Sequence, residues 1–103
     1  MYQIVVFIPL EHTEKVKSAM FNAGGGQLGN YENCSFEHQG MGQFRPLTGS
    51  NPFLGTVGEI ERVTEVKVEM ICSKNKINEV IAALKMNHPY ETPAYYVIET
   101  LNI

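Results

Sequence analysis

The sequence has no surplus of positive charge, no long apolar run and no signal-peptide pattern. Eight lysine and arginine residues stand against eleven acidic residues, and the basic residues are scattered along the chain. Because nucleic-acid binding needs a basic stripe or patch, a DNA or RNA partner is not expected. The missing apolar segments lead us to predict a cytoplasmic protein with no membrane partner.

The motifs of common enzyme classes are also missing. The chain contains no HExxH motif, no Walker loop, no nucleophile elbow and no CxxC pair. Cys34 and Cys72 are far apart, so both are expected to be free thiols in a reducing compartment. Glycine-rich residues 24–29 match GxGxxG formally, but they follow a predicted helix, which indicates a helix cap and a turn. We therefore predict that the chain is not an enzyme.

The composition that is present is typical of one globular domain. The chain has 103 residues, of which 44% are hydrophobic. A domain of this size buries about two-thirds of the surface of its unfolded chain, and it folds without a metal or a disulfide. We predict a single domain over residues 1–103.

Hydrophobic periodicity predicts four strands and two helices. The strands are predicted at residues 2–8, 31–40, 62–72 and 94–101, and the helices at residues 13–23 and from a cap at Ser73 or Asn75 to Met86. Residues 40–58 are predicted to form a long loop. The order β-α-β, loop, β-α-β predicts an α+β fold, the ferredoxin-like plait, in which a four-stranded antiparallel sheet carries both helices on one face.

The other face of such a sheet needs a cover. Tyr95, Val97 and Leu101 are expected opposite the helices, where they would expose an apolar surface. The sequence therefore predicts a homo-oligomer, and either a dimer or a trimer satisfies this requirement.

Two segments carry residues that a generic loop does not need. The long loop contains Phe44 and Arg45, and the planar guanidinium fits a carboxylate or a phosphate. A solvated or intersubunit role for Arg45 is the alternative. His88-Pro89-Tyr90-Glu91 joins the second helix to the last strand, and a protonated histidine there would interact favourably with the helix dipole.

A metal site is a further alternative at these positions. His88, Glu91, Glu65, Cys34 and His38 include the nitrogen, oxygen and sulfur donors of a zinc-like ion. Their spacing matches no closed metal motif. No cofactor is therefore predicted, and a divalent ion is kept as an alternative.

The glycine, aromatic and proline residues together resemble a known family. The pattern is similar to the domain inserted in the middle of the Ngg-interacting-factor family, whose members are often labelled GTP cyclohydrolase I type 2 homologues, and its last part is also similar to a motif of the CutA proteins. The residues that carry it are Ala23-Gly24, Gly29-Asn30-Tyr31, Cys34-Ser35-Phe36, Gly40-x-Gly42-x-Phe44-Arg45-Pro46, Gly49-x-Asn51-Pro52-Phe53-x-Gly55, Glu65 and His88-Pro89-Tyr90-Glu91-x-Pro93.

The resemblance implies a PII/CutA-like ferredoxin plait that assembles into oligomers, of which the trimer is the familiar CutA form. Full-length relatives hold a dinuclear metal site in a flanking domain that this chain lacks, so their suggested hydrolase activity is not carried over. The positions matched to the family form a candidate ligand-binding site: Tyr31, Cys34, Phe44, Arg45, Glu65, His88, Tyr90 and Glu91.

Three functions are compatible with these observations. The first is a free-standing oligomeric sensor or regulatory domain that binds a small anion, a metabolite or a protein partner where the loop and the turn meet. The second is a CutA-like divalent metal-binding protein with Cys34, His38, His88 and Glu91 as donors. The third is a purely structural oligomerisation domain.

Overall fold

The computed structural model describes residues 1–103 and contains one four-stranded sheet and two α-helices. The strands are β1 (Tyr2–Pro9), β2 (Phe36–Phe44), β3 (Glu61–Cys72) and β4 (Tyr95–Glu99), and the helices are α1 (Thr13–Asn22) and α2 (Ile77–Asn87). The strand order is β2-β3-β1-β4, and every neighbouring pair is antiparallel. The predicted ferredoxin-like plait is confirmed. None of the helices has the length and apolar character needed to cross a bilayer.

The core lies between the sheet and the two helices. Alternate residues of β1 and β3 point toward the helices, and each helix contributes two fully buried apolar side chains to the same cluster. Burying such a side chain stabilises the fold by about 1.5–3 kcal/mol. Both helices therefore lie on one face, and the buried residues they share with the sheet are Ile4, Val6, Ile8, Val16, Met20, Val66, Val68, Met70, Cys72, Val80 and Leu84.

The orientation of β4 differs from the prediction. Tyr95 packs against the core and lies opposite Val6, and Val97 lies opposite Ile4, so both side chains are on the helix side of the sheet. Tyr96 and its neighbour Ile98 occupy the helix-free face instead. The expectation for Tyr95 and Val97 was wrong because pairing with β1 sets the register, and a shift of one residue exchanges the two faces.

Strand β2 also lies further along the chain than predicted. It begins at Phe36 and continues through Gly40 and Gly42 to Phe44, so the long loop starts only at Arg45. Nearly all of β2 is solvent-exposed, and pairing with β3 holds it in place. The residues preceding Phe36 form no strand beyond one isolated bridge between Leu28 and Tyr31.

The helix ends show one agreement and one difference. The backbone N–H groups of Gly24 and Gly25 bond to carbonyls of the last turn of α1, as expected for a glycine cap. Helix α2 begins after Lys76 without a side-chain cap, because the Ser73 hydroxyl bonds to the side chain of Asn75. The predicted capping role of Ser73 or Asn75 was therefore wrong.

Candidate functional site

A cleft of about 380 Å³ lies at the end of the sheet where β1 and β2 finish and where β3 and β4 start. The loop after β2 forms one wall, and the turn between α2 and β4 forms the other. The lining residues are Gln43, Phe44, Arg45, Pro46, Leu47, Ser50, Pro52, Phe53, Leu54, Glu65, Tyr90, Glu91, Thr92 and Ala94. Segments distant in sequence therefore meet on one concave surface.

His88 fixes the turn to the sheet. Its side chain is buried; the Nδ1 atom accepts the backbone N–H of Tyr90 at 3.1 Å, and Nε2 lies 2.7 Å from the carbonyl oxygen of Phe7. Since Nδ1 is an acceptor, the neutral ring carries its proton on Nε2 and donates it to Phe7. Burial lowers the pKa of His88, an effect that the Phe7 hydrogen bond partly opposes.

The engagement of both ring nitrogens changes the interpretation of His88. A neutral, buried ring does not act as the charged partner of a helix dipole. A ring whose Nδ1 and Nε2 both bond to backbone groups is also not free to accept a metal ion or a proton from a ligand. His88 positions the residues that follow it.

Tyr90 connects the turn to the sheet through its hydroxyl group. The hydroxyl donates a hydrogen bond to Glu65 Oε2 at 3.0 Å, and the ring centroid lies 5.7 Å from that of Phe44 and 6.4 Å from that of Phe53. Burial, reinforced by the hydrogen bond to Glu65, raises the pKa of Tyr90 strongly. The phenol therefore remains protonated at any physiological pH and holds the Glu65 carboxylate in place.

Gly42 makes room for that carboxylate. Glu65 lies on the helix-free face of β3, and a Cβ atom at Gly42 on the neighbouring strand would overlap the Glu65 carboxyl group. At Gly40, by contrast, an added Cβ atom would contact nothing. A side chain at position 42 would therefore force the Glu65 carboxylate to move, which would disturb its hydrogen bond with Tyr90.

A hydrogen bond from Asn51 to Glu91 joins the loop to the turn. Glu91 Oε2 accepts the backbone N–H of Asn51 at 3.0 Å. Arg45 lines the same cleft, yet its side chain is exposed and forms no ion pair with Glu65, Glu91 or any other carboxylate. The cleft thus contains two carboxylates held by hydrogen bonds and one free guanidinium group.

Two of the predicted site residues lie elsewhere. Tyr31 pairs with Leu28, and Cys34 donates its backbone N–H to Gly26. Gly26 in turn bonds to Ile71, near the end of β3, which is about 20 Å along the strand from Glu65. Tyr31 and Cys34 therefore belong to the glycine turn at the opposite end of the sheet.

The side chains proposed as metal ligands do not converge. No group of three or more histidine, cysteine or acidic side chains is arranged to hold a metal ion. His38 lies on the exposed strand β2 beside Phe36, and Cys34 lies at the glycine turn. Within one chain, Cys34, His38, His88 and Glu91 do not form a common site.

The sequence did not single out His12. Its ring meets Phe53 edge-on at a centroid distance of 5.5 Å, and its buried Nδ1 atom has no hydrogen-bond partner. His12 follows the end of β1, so the topology brings it beneath the loop. Its local sequence carries no motif that would have indicated this position.

Comparison with known proteins places the chain. The family model for the CutA1 divalent ion tolerance protein matches residues 56–103. A GTP cyclohydrolase 1 type 2 homologue from Halalkalibacterium halodurans is 46% identical over 95 residues, which cover 92% of this chain and 26% of that protein. The crystal structure of a Bacillus cereus protein related to NIF3 superposes with a TM-score of 0.84 and 40% identity over 98% of this chain and 26% of that one.

This chain is similar over nearly its whole length to a segment of the GTP cyclohydrolase 1 type 2 homologues. The resemblance predicted from the sequence is confirmed. The chain spans about a quarter of the length of the curated relatives it matches. CutA1 from Pyrococcus horikoshii, at 19% identity, a TM-score of 0.71 and coverage of 100% of this chain and 86% of that protein, shares the fold.

The folded chain is expected to lose stability in mild acid because of His88. Its pKa is lowered in the folded state, so as the pH falls through the ordinary histidine pKa of about 6.5 the unfolded chain takes up more of a proton than the folded chain does. The free energy of unfolding should therefore decrease as the pH is lowered, and this group contributes up to about 1.4 kcal/mol per pH unit. Urea unfolding at several pH values measures the slope. His88→Gln should flatten it, whereas the exposed His38→Gln should not; equal slopes in all three proteins would contradict the assignment.

Substitution of Gly42 is expected to disturb the cleft. Gly42→Ala should displace the Glu65 carboxylate from Tyr90 and should cost about 1 kcal/mol of stability, the usual contribution of one hydrogen bond. NMR resonances of the Tyr90 ring should shift in the same variant. Gly40→Ala, on the same strand but facing open space, is the matched control and should leave both unchanged or slightly stabilise the protein. An undisturbed Tyr90 ring in Gly42→Ala would refute this account.

Proposed function

We propose that this chain is an oligomeric binding or regulatory domain that recognises a small ligand in the cleft between the loop and the turn. The observation that carries the proposal is the meeting of Phe44 and Arg45 with Tyr90 and Glu91 on one concave surface. A mostly apolar cleft with a few fixed polar groups is the usual form of a small-molecule site. The free guanidinium of Arg45 supplies a charged group that the fold itself does not use.

Binding is proposed in preference to catalysis for a physical reason. His88 uses both ring nitrogens in backbone hydrogen bonds, and the Tyr90 hydroxyl is protonated and bonded to Glu65. The two best acid–base candidates near the cleft are therefore engaged in holding its shape. The cyclohydrolase name belongs to relatives that are about four times as long as this chain.

A divalent cation is the second candidate ligand. The matching family model is described as a divalent ion tolerance protein, and Glu65 and Glu91 both line the cleft. Carboxylate oxygens suit hard cations, but a complete coordination shell needs more donors than these two side chains provide. Divalent ions therefore belong in the same ligand screen.

Self-association is proposed through the helix-free face of the sheet. Phe36, Tyr96 and Ile98 lie on this face and are each between 44% and 66% exposed. Apolar side chains exposed together on one sheet face are a usual mark of an interface. If the chain is purely structural, self-association through this face is its only function, and the cleft binds no ligand.

The ligand proposal is tested by thermal denaturation against free amino acids, carboxylic acids, nucleotides and divalent ions. A ligand at about one hundred times its Kd should stabilise the protein by about 2.7 kcal/mol and raise Tm by several degrees. Arg45→Ala should abolish the shift without lowering Tm in the absence of ligand, because Arg45 is exposed and unpaired. Lys74→Ala, in the turn before α2, should retain the shift. A protein that responds to no ligand class would refute the proposal.

The assembly proposal is tested by light scattering on the purified protein. The chain mass is 11.6 kDa, and a mass two or three times larger is expected. Ile98→Glu should dissociate the oligomer by burying a charge in the contact, whereas Met86→Glu, on the outer surface of α2, should not. A monomer at micromolar concentration, or an oligomer that tolerates Ile98→Glu, would exclude this interface.

A further inference from the structure

The charges of the cleft are opposite in sign but do not neutralise one another. Glu65, Glu91 and Arg45 all line a space of about 380 Å³, and Arg45 forms no ion pair with either glutamate. Charges of opposite sign this close together on long side chains would ordinarily be free to pair. Their separation needs a structural cause.

The cause is that both carboxylates are held by other bonds. Glu91 is fixed by the backbone N–H of Asn51, and Glu65 is fixed by the hydroxyl of Tyr90 and by the space at Gly42. Both of these donors are uncharged, so each glutamate keeps its full negative charge. The cleft therefore presents two carboxylates held by hydrogen bonds and a positive charge on the exposed, unpaired side chain of Arg45.

The space between the charges is bounded by aromatic rings. The Tyr90 ring contacts those of Phe44 and Phe53 at centroid distances of 5.7 and 6.4 Å, and Phe53 is 51% exposed. Exposed ring surface favours an apolar group and also attracts an organic cation placed over its face. A simple inorganic ion would use none of this surface.

A ligand with a charge of only one sign would leave part of the cleft unsatisfied. An anion alone would pair with Arg45 but would approach two carboxylates, and a cation alone would meet the guanidinium. A molecule with both charges and an apolar group uses every feature at once. The volume fits a ligand of amino-acid size rather than a nucleotide with several phosphates, whose negative charges would also face Glu65 and Glu91.

We propose that the cleft binds a zwitterionic ligand, a free α-amino acid with a large apolar or aromatic side chain. Its carboxylate pairs with the guanidinium of Arg45, its ammonium group with Glu91 and Glu65, and its side chain with Phe44 and Phe53. This inference rests on the proposed binding function and names the ligand class of the same cleft. It extends the expectation of an anion site, because the structure adds two fixed carboxylates to the arginine.

The test compares four probes by calorimetry on the full chain. L-phenylalanine has both charges and the ring, N-acetyl-L-phenylalanine lacks the ammonium group, L-phenylalaninamide lacks the carboxylate, and glycine lacks the ring. L-phenylalanine should bind at least about tenfold more tightly than each of the others, because a lost charge-assisted contact weakens binding by at least that factor and glycine loses the apolar contact of the ring. Equal binding of the four probes, tighter binding of a singly charged probe, or no binding of L-phenylalanine would overturn the ligand class.

Two variants assign the charges to their partners. Arg45→Met should reduce the affinity for L-phenylalanine to that for the amide and leave the amide unaffected. Glu91→Gln should weaken the binding of L-phenylalanine only part of the way toward that of the N-acetyl compound, because Glu65 still pairs with the ammonium group, and it should leave the N-acetyl compound unaffected. Lys74→Met and Glu32→Gln, both at exposed positions outside the cleft, are the matched controls and should bind like the unmodified chain.

The failure of this inference is distinguishable from failure of the proposed function. If the ligand screen finds a compound that depends on Arg45 while the four probes show no preference for both charges, only the ligand class is wrong. If no compound of any class binds, the binding function itself is wrong. If L-phenylalanine binds to Arg45→Met and to Glu91→Gln as tightly as to the unmodified chain, it binds outside the cleft, and the inference is overturned.

Discussion

The cleft depends on one hydrogen-bonded bracket at the end of the central strand. This bracket consists of the two bonds that the His88 ring makes to the backbone of Phe7 and Tyr90. Strand β1 pairs with β4 only as far as Val6, and the Phe7 N–H bonds to the carbonyl of Ala94 just before β4 begins. The carbonyl of Phe7 is satisfied by the His88 ring instead of by a strand. Because the His88 ring takes the place of a strand here, the chain turns across the end of the sheet. Tyr90 and Glu91 then lie where they contact the loop. The bracket works only while the ring is neutral, since protonated Nδ1 cannot accept the Tyr90 N–H.

The second requirement is that β2 continues beyond the core. Strand β3 supplies a paired edge from Glu69 back to Glu61, and β2 follows it to Phe44 although none of its side chains is fully buried. The exposed ribbon carries Phe44 to the mouth of the cleft. The same extension brings Gly42 beside Glu65, so a glycine within a strand, which ordinarily weakens it, here permits the tyrosine-to-glutamate bond. Local stability is reduced in order to fix a carboxylate.

The elements with a strong hydrophobic period could be predicted from the sequence, because burial on one face determines their pattern. Strands β1 and β3 and both helices were predicted to within about two residues, except for the start of α2. Strand β2 was misplaced because its glycines carry no period and its existence depends on pairing with distant β3. The faces of β4 were exchanged because its register depends on β1, which no local pattern encodes.

The candidate site was predicted unevenly for a related reason. The family resemblance selected six residues that the structure brings together: Phe44, Arg45, Glu65, His88, Tyr90 and Glu91. The same resemblance also selected Tyr31 and Cys34, which lie at the glycine turn at the far end of the sheet. Some residues of a motif bind a ligand, and others make a tight backbone contact, such as that of Cys34 with Gly26. Sequence could not separate these causes, nor could it show that His88 is a support and not a ligand.

The arrangement of charge separates a structural role of the cleft from a binding role. If the loop and the turn were joined only for stability, Arg45 would contribute most by pairing with Glu91 or Glu65, yet both glutamates bond to neutral donors. Fixing the carboxylates with neutral donors costs the fold little, since an exposed ion pair with Arg45 would contribute only about 0–1 kcal/mol. It lowers the cost of binding a ligand, because the carboxylates are already oriented before the ligand arrives. The fixed carboxylates of Glu65 and Glu91 therefore support the proposed recognition of a charged ligand.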